Sequence, residues 1–277
     1  MTAPPAFAQR ALATAMLLAF APALLAAPSG AEVIPAAPAP APPPLPRDPI
    51  LEPGGRPLLV GLFGGPTFNS HTGQFTVTEN GIVCCVFDGG SGIGIVGGAK
   101  AFIPFGDAFG VSPRISYEDR SGTYTQETEA FSFLGANNQV ETLRFHDELG
   151  MNLPSVTIDA LATYTFTSFG LYAALGPSAG ILVGKDYTKT ETIPGPNGVT
   201  FKNSGGTSVT INSGNLGTAN TLQLGARGGL GAAFPIAGGA VTLNPEVLYT
   251  FPLTKVSSVD EVKVSGLQAT LGILIGL

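Results

Sequence analysis

The chain has 277 residues, 44% of them hydrophobic and 12% charged, and its 13 Lys/Arg against 19 Asp/Glu leave a net charge of −6. An acidic balance with no Lys/Arg cluster excludes a protein that tracks nucleic-acid phosphates. After the first thirty or so residues no segment reaches the ~20 unbroken apolar residues that a membrane helix needs, and charge is scarce beside the roughly 25% of an ordinary soluble domain.

Residues 1–31 read as a secretory signal peptide. Arg10 supplies the positive region, Ala11 to Ala27 the apolar run, and Ser29-Gly30-Ala31 a small-x-small site that releases a chain beginning at Glu32. A cut at Ala27 fits nearly as well. No cysteine lies near either site, which argues against a lipoprotein anchor. Residues 32–57 form a Pro/Ala-rich tract, a composition that favours extended polyproline II or disorder and predicts a periplasmic linker.

From residue 58 to residue 277 the pattern is period-two alternation broken by turn signals, which predicts eight strands. The first covers about 58–69, and a loop holding Cys84 and Cys85 leads to the second at 91–103. Pro104-Phe105-Gly106-Asp107 turns the chain into the third, 108–118. A long polar excursion precedes the fourth at 154–166, and Thr167-Ser168 turns into the fifth at 169–184. Another polar loop, 185–219, leads to the sixth at 220–234. Pro235 to Gly239 turns into the seventh at 240–251, and a medium loop reaches the eighth at 264–277.

Short turns thus alternate with longer loops, the rhythm of an up-and-down barrel with its tight turns on the periplasmic side. Parity supports closure. In the fourth strand Val156, Ile158, Ala160, Ala162, Tyr164 and Phe166 share one face, while Ser155, Thr157, Asp159, Thr163 and Thr165 share the other, with Leu161 as the exception. The sixth and eighth strands repeat the pattern. A soluble barrel would hide the apolar face instead; the signal peptide and the scarcity of charge along whole strands place it outward, in lipid. Aromatic residues collect at strand ends: Phe102, Phe105, Phe109, Phe166, Phe169 and Phe234 beside the short turns, Phe68, Tyr117, Tyr249 and Phe251 at the other end. Two such bands fit interfacial girdles. The fold class predicted is all-β, an eight-stranded antiparallel transmembrane barrel.

The few strand charges, Lys100, Arg114, Asp159, Arg227 and Glu246, fall on the inward face, with Glu118 at the upper end of the third strand. An eight-stranded barrel is about wide enough for side chains to fill, and isolated ions there are costly, so these residues are expected to pair in a lumen charge network. Cys84-Cys85 is a candidate vicinal disulfide in an oxidising compartment, read as a redox-sensitive clip, a local staple or two free thiols. Gly92-Ile93-Gly94-Ile95-Val96-Gly97 matches G-x-G-x-x-G without the strand–helix context of a dinucleotide site. Gly176-Pro177-Ser178-Ala179-Gly180 matches G-x-S-x-G, but His71 and His146 both precede it, the wrong order for a hydrolase. Neither histidine has metal-site spacing. No catalytic residue, metal or cofactor is expected.

The alternating loops and the closing strand Leu267-Gln268-Ala269-Thr270-Leu271-Gly272-Ile273-Leu274-Ile275-Gly276-Leu277 resemble the outer-membrane β-barrel domain superfamily, the eight-stranded kind typified by the OmpA transmembrane domain. The closing strand departs from that pattern in ending on Leu277 where Phe is usual. The resemblance implies a cell outer membrane location and insertion by the barrel-insertion machinery through the C-terminal strand. Members often carry a peptidoglycan-binding domain after the barrel; with strand eight read as the last element, that tethering role is not expected here. The leading expectation is a non-enzymatic barrel that supports the envelope and offers its loops to an unknown extracellular ligand, with outer-membrane lipid around it. The alternatives are a narrow ion or small-solute channel and, from the enzyme class, a lipid-modifying barrel.

Overall fold

Alternation becomes a wall only when every strand edge finds a partner, and this chain closes on itself. The computed structural model describes residues 57–79, 82–134, 138–166, 170–195 and 199–277; the predicted leader, the linker up to residue 56, the Thr167-Ser168 turn and Phe169 lie outside them. In chain order the strands are β1 (Leu59–Glu79), β2 (Ile82–Phe105), β3 (Phe109–Asp119), β4 (Gly122–Glu127), β5 (Phe131–Leu134), β6 (Val140–Leu143), β7 (His146–Asn152) and β8 (Pro154–Thr165). Then follow β9 (Leu171–Leu182), β10 (Asp186–Thr192), β11 (Ser208–Asn215), β12 (Leu222–Ala232), β13 (Phe234–Ile236), β14 (Val241–Pro252) and β15 (Lys263–Gly276). Eight of them form a ring in the order β1-β15-β14-β12-β9-β8-β3-β2, and β2 pairs back on β1. All the ladders are antiparallel; Leu62, for example, lies opposite Ile273 on one side and Ala99 on the other.

These eight strands match the eight predicted ones. Their outward residues are the apolar set: Leu62, Ile95, Ile115, Ile158, Leu175, Leu230, Leu271 and Ile273 are all exposed. The inward set is polar, with Thr67, Ser112, Ser116, Thr157, Gln223, Thr242 and Gln268 buried. Leu161, the exception to parity, points inward and packs with Tyr172, Ala174 and Leu248 in a small apolar cluster. The outward apolar band that leads into β1 and continues along it runs from Leu58 to Phe68, and Ser70 and Thr72 follow it in the exposed positions. At ~3.3 Å per residue and a tilt of ~40° that band is roughly 25 Å tall, the height of a barrel's lipid-facing belt.

Two expectations are corrected. Phe102 does not join the girdle; it shares parity with Lys100 and its ring centroid lies 6.4 Å from that of inward-facing Tyr172. The girdle beside the short turns is instead exemplified by Phe109 against Tyr164, with centroids 5.0 Å apart. More importantly, the long polar excursions are not irregular loops. β1 and β2 continue as a hairpin past the apolar band, and β4, β7, β10 and β11 extend the sheet from β2 in that order. β5 and β6 make a separate hairpin. The excursions looked like loops because Thr, Glu and Asn dominate them. Yet they alternate too, with the sense reversed: Phe75, Phe87, Tyr124, Leu149, Met151 and Leu153 point inward and form one apolar cluster with Leu182, Leu216, Val256, Val262 and Val264. Below, the molecule is polar inside and greasy outside; above, in water, it is the opposite.

The tight turns use left-handed backbone where the chain must reverse within three or four residues. Gly106 turns β2 into β3 at φ 76°. Ala237, Gly238 and Gly239 do so in succession between β13 and β14, at φ 52°, 70° and 91°.

Candidate functional site

The five predicted network residues, and Glu118 with them, are all buried in the lumen, and they fall into two clusters. Nearer the loop end, Arg227 on β12 spans two carboxylates: its Nη2 lies 2.7 Å from Glu118 Oε1 on β3, and its Nη1 donates to Asp159 Oδ2 on β8 at 2.6 Å. Its Nε donates to Thr250 Oγ1 at 3.0 Å, so the guanidinium is held on three sides. Ser116 Oγ donates to the same Glu118 oxygen at 3.1 Å.

Nearer the turn end, Glu246 on β14 gathers two cations. Lys100 Nζ donates to Oε2 at 2.6 Å, and Arg114 Nη2 donates to Oε1 at 2.9 Å and Oε2 at 3.0 Å. The Tyr172 hydroxyl donates to Oε1 at 2.6 Å. Asn244, on the same face of β14, accepts from Lys100 and donates to the Tyr172 hydroxyl at 2.8 Å and to the Ala232 carbonyl at 2.6 Å. The Phe63 ring lies under both cations, 5.5 Å from Lys100 Nζ and 5.0 Å from Arg114 Cζ, a cation–π arrangement in a desolvated setting.

Opposite charges inside a narrow cylinder must meet, because removing either partner leaves an uncompensated ion where water is scarce. The register sets which ones do: Lys100 is the ladder partner of Arg114, and Arg114 of Asp159, so like and unlike charges sit side by side on β2, β3 and β8. Glu246 relieves the first contact from across the lumen. Sequence reading named the charges but not Tyr172, Asn244 or Phe63, which complete the lower cluster. The signal was present: Asn244 is two residues before Glu246, and Tyr172 shares the inward parity of Ala174 and Ser178 on β9.

Above the lumen, where β1 rises past the apolar band, His71 is buried. Its Nε2 lies 3.1 Å from the Arg120 carbonyl and its Nδ1 3.0 Å from the Tyr124 hydroxyl. A carbonyl can only accept, so Nε2 carries the proton and Nδ1 accepts from Tyr124. Burial lowers the His71 pKa from 6.5 to about 4, the carbonyl opposing that shift and the nearby Arg120 charge adding to it. Burial likewise raises the Tyr124 phenol, and the charge of Asp260 adds to it. Gly122 leaves the space this ring needs, since a Cβ there would stand 2.6 Å from His71 Nε2.

The remaining candidates separate. Ser178 faces the lumen as the ladder partner of Asp159, with neither histidine beside it. The Gly92–Gly97 motif lies within β2, where Cβ atoms on Gly92 and Gly94 would stand 2.2 Å from the Ser121 and Asp119 carbonyls; these two glycines serve close strand approach. His146 pairs with Glu127 and Thr192 in the upper sheet. Among the described residues no group of three His, Cys, Asp or Glu side chains is placed to hold a metal. The Cys84 side chain, and with it the candidate Cys84–Cys85 bridge, lies outside the described residues.

The family model for the outer membrane protein beta-barrel domain matches residues 43–258. Among solved structures the chain is similar to Ail, the attachment invasion locus protein of Yersinia pestis, at 13% identity and a TM-score of 0.31, over 78% of this chain and 98% of that one. It is similar to Neisserial surface protein A at 14% identity and a TM-score of 0.31, over 78% and 97%. The outer membrane protease OmpT from Escherichia coli is similar at 8% identity and a TM-score of 0.33, over 82% and 99%. No curated protein matches the chain. Matched by that family model over most of its length and closed into an eight-stranded antiparallel ring, the chain belongs to the outer membrane protein beta-barrel domain family and is an outer-membrane protein.

Proposed function

We propose that this protein is a non-catalytic integral barrel that supports the envelope, seals its own lumen and offers its loop-end sheet to the exterior. In this reading the turn end and the linker at 32–57 face the periplasm, outer-membrane lipid surrounds the apolar band, and β15 is what the insertion machinery engages. The observation that carries it is the pairing of Lys100, Arg114 and Arg227 with Glu118, Asp159 and Glu246 across the lumen, capped by the apolar cluster around Leu149. A conducting path would need those pairs to open.

The test is planar-bilayer recording on the purified full chain. Silence is the expected result, both at rest and under applied voltage. Stepwise conductance in the wild type that disappears in Arg227→Ala would replace the sealed barrel with a gated channel. A change in the mass of lipid A after expression would replace it with a lipid-modifying enzyme. The ligand of the outward loops is of unassigned chemistry; a deletion strain assayed for envelope leakage and adhesion separates support from surface recognition.

A further inference from the structure

At the loop end, in and beside the apolar cluster, lie three groups that the lumen network does not use. Cys85 on β2, Asp147 on β7 and Lys189 on β10 all point inward, with exposures of 7%, 3% and 4%. Lys189 Nζ donates to Cys85 Sγ at 3.1 Å, and the thiol points to Asp147 Oδ2 at 3.8 Å. Asp147 Oδ1 is buried without a hydrogen-bond partner among the described residues. Sulfur therefore sits between an amine and a carboxylate, within a cluster that includes Phe87, Leu149 and Met151. In the sheet β4 and β7 separate β2 from β10, so this contact reaches across the enclosed space and not along a ladder.

We propose that Cys85 and Lys189 are joined by an oxygen-bridged S–O–N cross-link, formed with dioxygen as the oxidant. The overall step consumes one thiol, one ammonium, one carboxylate and one dioxygen. Asp147 takes the surplus proton of the Lys189 ammonium. The S–H bond and one N–H bond of the resulting amine break, the O–O bond is cleaved, and S–O and N–O bonds form. Sulfur and nitrogen each give up two electrons and dioxygen takes all four. One oxygen becomes the bridge and the other leaves as water with the two released hydrogens; one hydrogen stays on nitrogen. The observed separation suits a bridging atom, whereas a direct S–N bond would need the two atoms to close by well over an ångström. An oxidising compartment supplies the oxidant and preserves the product, and reductant returns thiol and amine. The cross-link makes the loop-end core a clasp set by redox conditions.

The experiment is intact-mass measurement of the full chain, extracted aerobically in detergent with thiols blocked on denaturation. The expected result, once the mass of each blocking group is subtracted, is a gain of about 14 Da over the dithiothreitol-treated protein, from one oxygen added and two hydrogens lost, with one thiol blocked instead of two. After proteolysis the Cys85 and Lys189 peptides should travel as one species that reductant splits. Lys189→Arg, which keeps the cation, should lose the gain, and Cys84→Ser should keep it. An unchanged mass with both thiols blocked, or a loss of about 2 Da from a Cys84–Cys85 disulfide, overturns the proposal. So does a gain that survives in Lys189→Arg. The two wild-type measurements stand whether or not a variant assembles.

Discussion

Arg227 shows how much one side chain can hold in a lumen this narrow. Its guanidinium serves Glu118, Asp159 and Thr250 at once. Arg227→Ala takes from Glu118 and Asp159 the guanidinium that bridges them and is expected to cost about 3–5 kcal/mol, the range for breaking a buried pair. Urea unfolding in lipid vesicles, followed by the gel shift between folded and unfolded barrel, measures it. Arg227→Lys should recover only part of the loss, because an ammonium cannot fork across two acceptors. His71 makes the second prediction at this scale. Its pKa falls from 6.5 unfolded to about 4 folded, so the unfolded chain binds more protons between those values. Stability from this group is complete above pH 6.5, is lost as the pH falls towards 4, and changes no further below that. The span corresponds to about 3 kcal/mol. Unfolding midpoints measured from pH 7 to 4 should fall more steeply in the wild type than in His71→Gln, which carries no charge at any pH.

At the scale of the strand, parity means opposite things at different heights. Leu271 on β15 and Thr125 on β4 both point outward and both are exposed. Leu271→Arg puts a charge on the lipid face and should cost about 2–4 kcal/mol near the bilayer midplane, whereas Thr125→Arg should stay within about 0.5 kcal/mol, as surface changes do. The same vesicle unfolding assay compares them. Equal costs would mean that the lipid boundary is drawn at the wrong height. The strands of the ring were legible because each repeats its alternation over ten or more residues between clear turn signals. β4, β7, β10 and β11 were not, although TYTQE, HDELGMN and DYTKTET alternate as well. They are short, their outward positions are polar, and their few apolar residues need partners from elsewhere to mean anything. Tyr124 makes sense only beside Leu149, and Leu149 only beside Phe87 and Met151. The lumen charges could be read from parity alone, but not who pairs with whom, since Glu246 meets Lys100 and Arg114 across the barrel from residues more than a hundred positions away.

For the whole molecule, the two kinds of interior predict separable failure. Leu149 is fully buried in the loop-end cluster, and Leu149→Ala should cost about 2–5 kcal/mol there. Its cluster takes in the loop-end stretches of β1, β2, β9 and β15 but not the lumen charges. Limited proteolysis should therefore cut the loop-end strands of this variant faster while the folded-barrel band on a gel persists. Loss of both together would show that the cap and the ring fold as one cooperative unit.

The point on the outer wall where Phe68 gives way to Ser70, and Ile93 to Ser91, acts as a waterline. A slide of two residues either way, roughly 7 Å along the strand, would drown hydroxyls in hydrocarbon or strand an aromatic and an isoleucine among headgroups. The molecule therefore carries its own draught mark, and its depth in the bilayer is written into two neighbouring strands before any partner is met.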